Sequence, residues 1–128
     1  LEFRRVLFRS CDERKDFPVA NVRDYRSAEV LNREFPKWLY VGRKVGVWEQ
    51  SPLANPFKLR QGATAGDRKV VIEKYRRWLW NKIQVGDPAV LSGLREINRK
   101  TVLVCWCAPD PCHAEVVHRA AAWLREQR

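Results

Sequence analysis

No stretch of the 128-residue chain reaches the about 18 consecutive apolar residues that a bilayer crossing needs, and no charged-apolar-small order marks a secretory leader. A cytoplasmic protein without a membrane partner is therefore expected. Internal repeats, low-complexity tracts and any linker that would divide the chain are absent too, and its length suits one domain with a single core. Acidic residues are scarce, 15 against 25 Lys and Arg, which leaves a formal net charge of +10. Clustered Lys and Arg raise the local concentration of anions, so this balance favours nucleotide or nucleic-acid partners, although a solubilising surface carries the same charge. With only four cysteines and two histidines, the chain has neither the two closely spaced cysteine pairs of common zinc modules nor the Cys-x-x-Cys-His of haem attachment.

The first ten residues, LEFRRVLFRS, match the translation of the end of a common short-read sequencing adapter, and we set them apart from the domain, placed at 17–128. On that reading the chain is an environmental fragment whose natural start is missing. Arg4, Arg5 and Arg9 against Glu2 account for two of the ten net positive charges, so the basic character belongs to the rest.

FPVANVR (17–23) alternates as a short strand, and YRSAEVLNREF (25–35) has helical spacing. WLYVGR (38–43), aromatic and β-branched, is a strand that stops at Gly42. RKVGVWEQSPLANPF (43–57) has two prolines and no period, and reads as an ordered loop of functional length. From 66 to 83, Val71, Ile72, Tyr75, Trp78, Leu79 and Ile83 recur at three and four, the mark of a helix with one buried face, capped by Thr64 or Asp67. Its outer face carries Arg68, Lys69, Lys74, Arg76, Arg77 and Lys82, which suit either solvent or phosphates. Asp87-Pro88 starts a second helix that ends near Asn98. TVLVCW (101–106) has the continuous apolar run of a strand buried on both faces. Asp110-Pro111 then opens a last helix with Val116, Val117, Ala120, Ala121 and Leu124 on its buried stripe. The order predicts a small single α/β domain, a short mixed or parallel sheet flanked by helices.

CWCAPDPCH (105–113) puts three of the four cysteines and one of the two histidines on the last strand-to-helix junction. In α/β folds ligands gather at the carboxyl ends of strands, and a helix N-terminus attracts anions and stabilises a thiolate. Cys112, with Cys107 across the loop, fits a nucleophile, and His113 its acid/base partner, which Glu115 can orient. Alternatively Cys105, Cys107, Cys112 and His113 supply four ligands for tetrahedral zinc, the one cofactor the sequence suggests. Cys105, inside an apolar strand, fits the core equally well. A Cys107–Cys112 disulfide is disfavoured in a reducing cytosol.

YVGR (40–43), SPLANPF (51–57), IEKYRRWL (72–79) and LVCWCAPDPCHAEVV (103–117) together resemble the domain of unknown function family 4326 of bacteria and their phages. The resemblance spans roughly 19–124 and implies one shared site drawn from Gly42, Arg43, Asn55, Pro56, Phe57, Cys105, Cys107, Pro109, Cys112 and His113. It implies no established reaction. Ala54 stands where the family has glycine, in a turn that would favour a positive φ, and Ala114-Glu115 replaces Gly-Asp. Gly42 and Arg43 suit a phosphate, with Arg43 alternatively an ordinary exposed residue; Asn55 suits a base edge or, equally, caps the turn before Pro56; and Phe57, Trp48 and Trp106 are either stacking rings or core. The expectation is a nucleotide-binding or nucleic-acid-derived ligand site. Arg43 and Asn55 orient the ligand, and Cys107, Cys112 and His113 carry a cysteine-based transferase or hydrolase chemistry. The alternative is a non-catalytic nucleic-acid module stapled by zinc.

Overall fold

The computed structural model describes residues 18–25, 27–59, 62–106 and 113–127. The adapter-like segment and the loop bearing Cys107, Pro109, Asp110, Pro111 and Cys112 lie outside these residues. In chain order the elements are β1 (Val19–Asn21), a 3₁₀ turn (Val22–Asp24), α1 (Ala28–Glu34), β2 (Trp38–Tyr40), α2 (Ala65–Val85), α3 (Pro88–Arg95), β3 (Val102–Cys105) and α4 (His113–Glu126). The strands form one parallel sheet in the order β1-β3-β2, so the sequence's choice between mixed and parallel resolves to parallel. Parallel neighbours need long crossovers, and the helices supply them. No helix among the described residues is long and apolar enough to cross a membrane.

The centre of the sheet explains why TVLVCW is apolar without alternation. All four residues of β3 are buried, Leu103 and Cys105 facing one cluster with Val41, Tyr75, Leu79, Leu94 and Val117, and Val104 facing another with Val22, Leu31 and Tyr40. Helices α2, α3 and α4 furnish the first cluster, and α1 furnishes Leu31 to the second. Burying such a side chain stabilises the fold by about 1.5–3 kcal/mol.

Local signals set the element ends. At α2 both candidates cap: the Thr64 hydroxyl accepts from Asp67 N at 3.1 Å and the Asp67 carboxylate from Thr64 N at 3.0 Å. The helix stops at Gly86, whose φ of 74° is left-handed. Asp87 Oδ1 caps α3, accepting from Ala89 N and Val90 N at 3.1 and 3.2 Å. That helix ends at Arg95, before Asn98: Glu96 N and Ile97 N close onto Gly93 O and Leu94 O, and the Asn98 side chain then accepts from Lys100 N and Thr101 N in a turn of its own. β1 also ends early, Asn21 Oδ1 accepting from Arg23 N at 2.9 Å. No described residue other than glycine has a positive φ, so Ala54 sits unstrained, against the expected glycine-favouring turn. α4 is buried beyond its one expected stripe: it packs on β3, α2 and α3 together, and Ala114, His118 and Arg119 are covered as well.

Candidate functional site

Because all three strands point the same way, their carboxyl ends open on one side of the sheet, and there the chain leaves a cavity of about 880 Å³. Asn21 ends β1 beside it, Gly42 and Arg43 follow β2, Cys105 and Trp106 close β3, and His113 begins α4. Asn55 and Phe57 from the long loop, Leu59 just after it, and Arg68 and Val71 from the start of α2 line it as well. Seven residues singled out in the sequence, Gly42, Arg43, Asn55, Phe57, Cys105, Trp106 and His113, thus border one space of the size that ligand sites occupy. Trp48 does not border it; its ring lies against Tyr40 and Trp38 instead.

The loop is folded back onto the sheet by its own backbone. Ser51 N donates to Gly42 O at 3.0 Å, and the buried Tyr75 hydroxyl donates to Leu53 O at 2.6 Å from α2. Arg43 Nε donates to Asn55 O at 2.7 Å, which fixes the guanidinium while its two terminal nitrogens keep no partner among the described residues. Asn55 Oδ1 accepts from Phe57 N at 2.9 Å, so its acceptor serves the turn and its amide NH2 is the part left to a ligand. Gly42 has a packing reason as well. A Cβ there would come within 2.6 Å of Tyr40 Cζ, whose hydroxyl donates to Arg43 O at 2.5 Å and accepts from Trp106 Nε1 at 2.9 Å.

His113 is 7 % exposed, its ring edge-on to Tyr75 at 4.9 Å and its Nε2 2.6 Å from Val41 O. Burial drives its pKa down to about 4, the Arg43 guanidinium pushing the same way against the Val41 carbonyl. At neutral pH the ring is therefore uncharged, Nε2–H donates to Val41 O, and Nδ1 keeps the lone pair. A group in this state accepts a proton or ligates a metal through Nδ1, but holds no proton to give as an acid near pH 7. Cys105, another lining residue, is 1 % exposed. Cys107 and Cys112 lie outside the described residues, yet the loop that carries them leaves from Trp106 and returns at His113, both on the cavity wall. Of the zinc set only Cys105 and His113 are described, and no group of three or more potential ligands occurs among the described residues.

Sequence reasoning missed Asn21, Arg23 and Asp24, and it placed Arg68 on an outer face rather than at the cavity. Asn21 Nδ2 donates to Trp106 O at 3.2 Å, tying the ends of β1 and β3, and the Arg23 guanidinium lies 5.8 Å above the Trp106 ring. Among the described residues of the wall, three arginines stand against one aspartate. Only the end of the predicted 17–23 strand could have flagged this corner, because register decides which strand ends meet. The family model described as a domain of unknown function (DUF4326) matches residues 22–123. No curated protein and no solved structure matches the chain.

Proposed function

The chain belongs to the DUF4326 family, whose description names no activity, and from its cavity we propose that it binds a nucleotide or a nucleic-acid-derived anionic ligand. One observation carries this reading: Arg43, its Nε held by Asn55 O, lines the cavity together with Arg23, Arg68 and Trp106. Guanidinium and phosphate match in geometry, and an indole face suits a base. Arg23 and Arg68 add charge, and Asn55 contributes its amide NH2. The reaction class is cysteine-based transfer or hydrolysis, supported by the loop of Cys107 and Cys112 starting and ending at the cavity, with His113 Nδ1 as the proton acceptor.

Titrating nucleoside monophosphates while following tryptophan fluorescence tests the binding. Saturable quenching is expected, with affinity lowered about 10- to 100-fold by Arg43→Ala and only partly restored by Arg43→Lys. Absence of binding by any nucleotide would overturn the reading. Cys107→Ser and Cys112→Ser test the chemistry; unchanged binding and turnover in both would remove the cysteines from it. About one zinc per chain in protein purified without chelator would instead favour the zinc-stapled module.

A further inference from the structure

The cavity does not end the positive surface. Arg68 and Val71, which line it, belong to the first turns of α2, so this helix begins at the cavity and leads away from it. Phe57 is also part of the wall, and Lys74 Nζ lies 6.0 Å above its ring. Lys74 also lines a groove of about 310 Å³ on α2, with Lys69, Val70, Glu73 and Arg77. Lys69, Lys74 and Arg77 are exposed there, and the one carboxylate, Glu73, is paired with Arg76. Lys82 is engaged separately by Asp87 at 3.6 Å. Among the described residues Lys69, Lys74 and Arg77 thus keep no carboxylate partner, and they follow the cavity's Arg68 along the same helix. From Arg68 to Arg77 the helix rises about 13 Å, several times the width of one phosphate.

We propose that the nucleotide taken by the cavity is one unit of a single-stranded nucleic acid, whose neighbouring phosphates lie along the outward face of α2. The inference rests on the nucleotide reading above and extends it. A mononucleotide has no charge left over for Lys69, Lys74 and Arg77, whereas a strand does. A duplex keeps its bases stacked away from the Trp106 ring, so a single strand is the form that uses ring and cations together.

The test compares the full chain with Lys69→Gln/Lys74→Gln/Arg77→Gln and with Arg43→Ala. The probes are fluorescent single-stranded DNA and RNA oligonucleotides, the matching DNA duplex, and a nucleoside monophosphate, over a salt series. Single strands should bind at least tenfold more tightly than the monophosphate. The triple variant should lose about tenfold or more in single-strand affinity, and the slope of log K against log salt should fall by about 2, as expected for three lost phosphate contacts. Its monophosphate affinity and circular dichroism should stay unchanged. Monophosphate binding that depends on Arg43, with single strands no tighter and the triple variant silent, would overturn this inference and leave the nucleotide reading standing. Duplex binding equal to single-strand binding, unaffected by Arg43→Ala, would also overturn it, reducing the face to unspecific attraction. Failure of every probe would overturn both.

Discussion

At position 42 the space a side chain would need is filled by the Tyr40 ring, which comes within 2.6 Å of an added Cβ and is fixed by bonds to Arg43 O and from Trp106 Nε1. Gly42→Ala must therefore displace either the phenol or the backbone that carries Arg43. The expected cost is about 1–3 kcal/mol in urea denaturation, with weakened nucleotide binding; an unchanged midpoint would show that the ring moves without penalty. The sequence pointed to Gly42 and Arg43 as a pair because a glycine and a cation end a strand. It attributed the glycine to a ligand's approach, because the ring that fills the space is visible only in three dimensions. Asn55 is similar: its type promised both donor and acceptor, and the fold spends the acceptor on Phe57 N. Cys105 answers the other way, its apolar neighbours in sequence agreeing with its burial at the end of β3.

The helices were the most legible part of the chain, since caps and spacing are local. The α2 spacing, the Thr64 and Asp67 caps and the Asp87-Pro88 start all stand in the structure. Asp87→Ala, which removes the acceptor for Ala89 N and Val90 N, should lower stability by about 1 kcal/mol, and Asp87→Asn should recover most of that. Equal losses in the two variants, read from denaturation midpoints, would place the effect in the Lys82 ion pair instead. Where local side chains compete with the ladder, the boundaries shift, as Asn21 shows at the end of β1, while α3 closes before Asn98 makes its own turn. Helix α4 departs from its expected single stripe because three elements cover it, and no helical periodicity records how many neighbours a face meets.

The domain as a whole is laced by α4 through two histidines. His113 Nε2 meets Val41 O just past β2, and His118 Nε2 meets Pro18 O just before β1 at 2.9 Å. Burial lowers the pKa of each to about 4, below the ordinary 6.5, with Arg43 and Arg125 respectively pushing the same way. The unfolded chain therefore binds protons at higher pH than the native one. Stability from these groups is complete above about pH 6.5 and is lost progressively as the pH falls toward about 4, roughly 3 kcal/mol for each ring at the limit. Urea denaturation across this range should show the decline. His118→Gln, which retains a donor for Pro18 O but does not titrate, should remove about half of it. A decline of the same size in that variant would assign the acid sensitivity elsewhere.

The sequence by itself determined the α/β class, the long ordered loop, the capped helices, the buried central strand and the basic balance, because each is written in neighbours a few positions apart. Only the tertiary structure decided that the sheet is parallel with β3 in the middle, that Arg23, Arg43, Arg68, Asn55 and His113 border one cavity, and that His113 is uncharged there. Those outcomes depend on strand register and on burial among residues up to a hundred positions apart, and no local pattern encodes either.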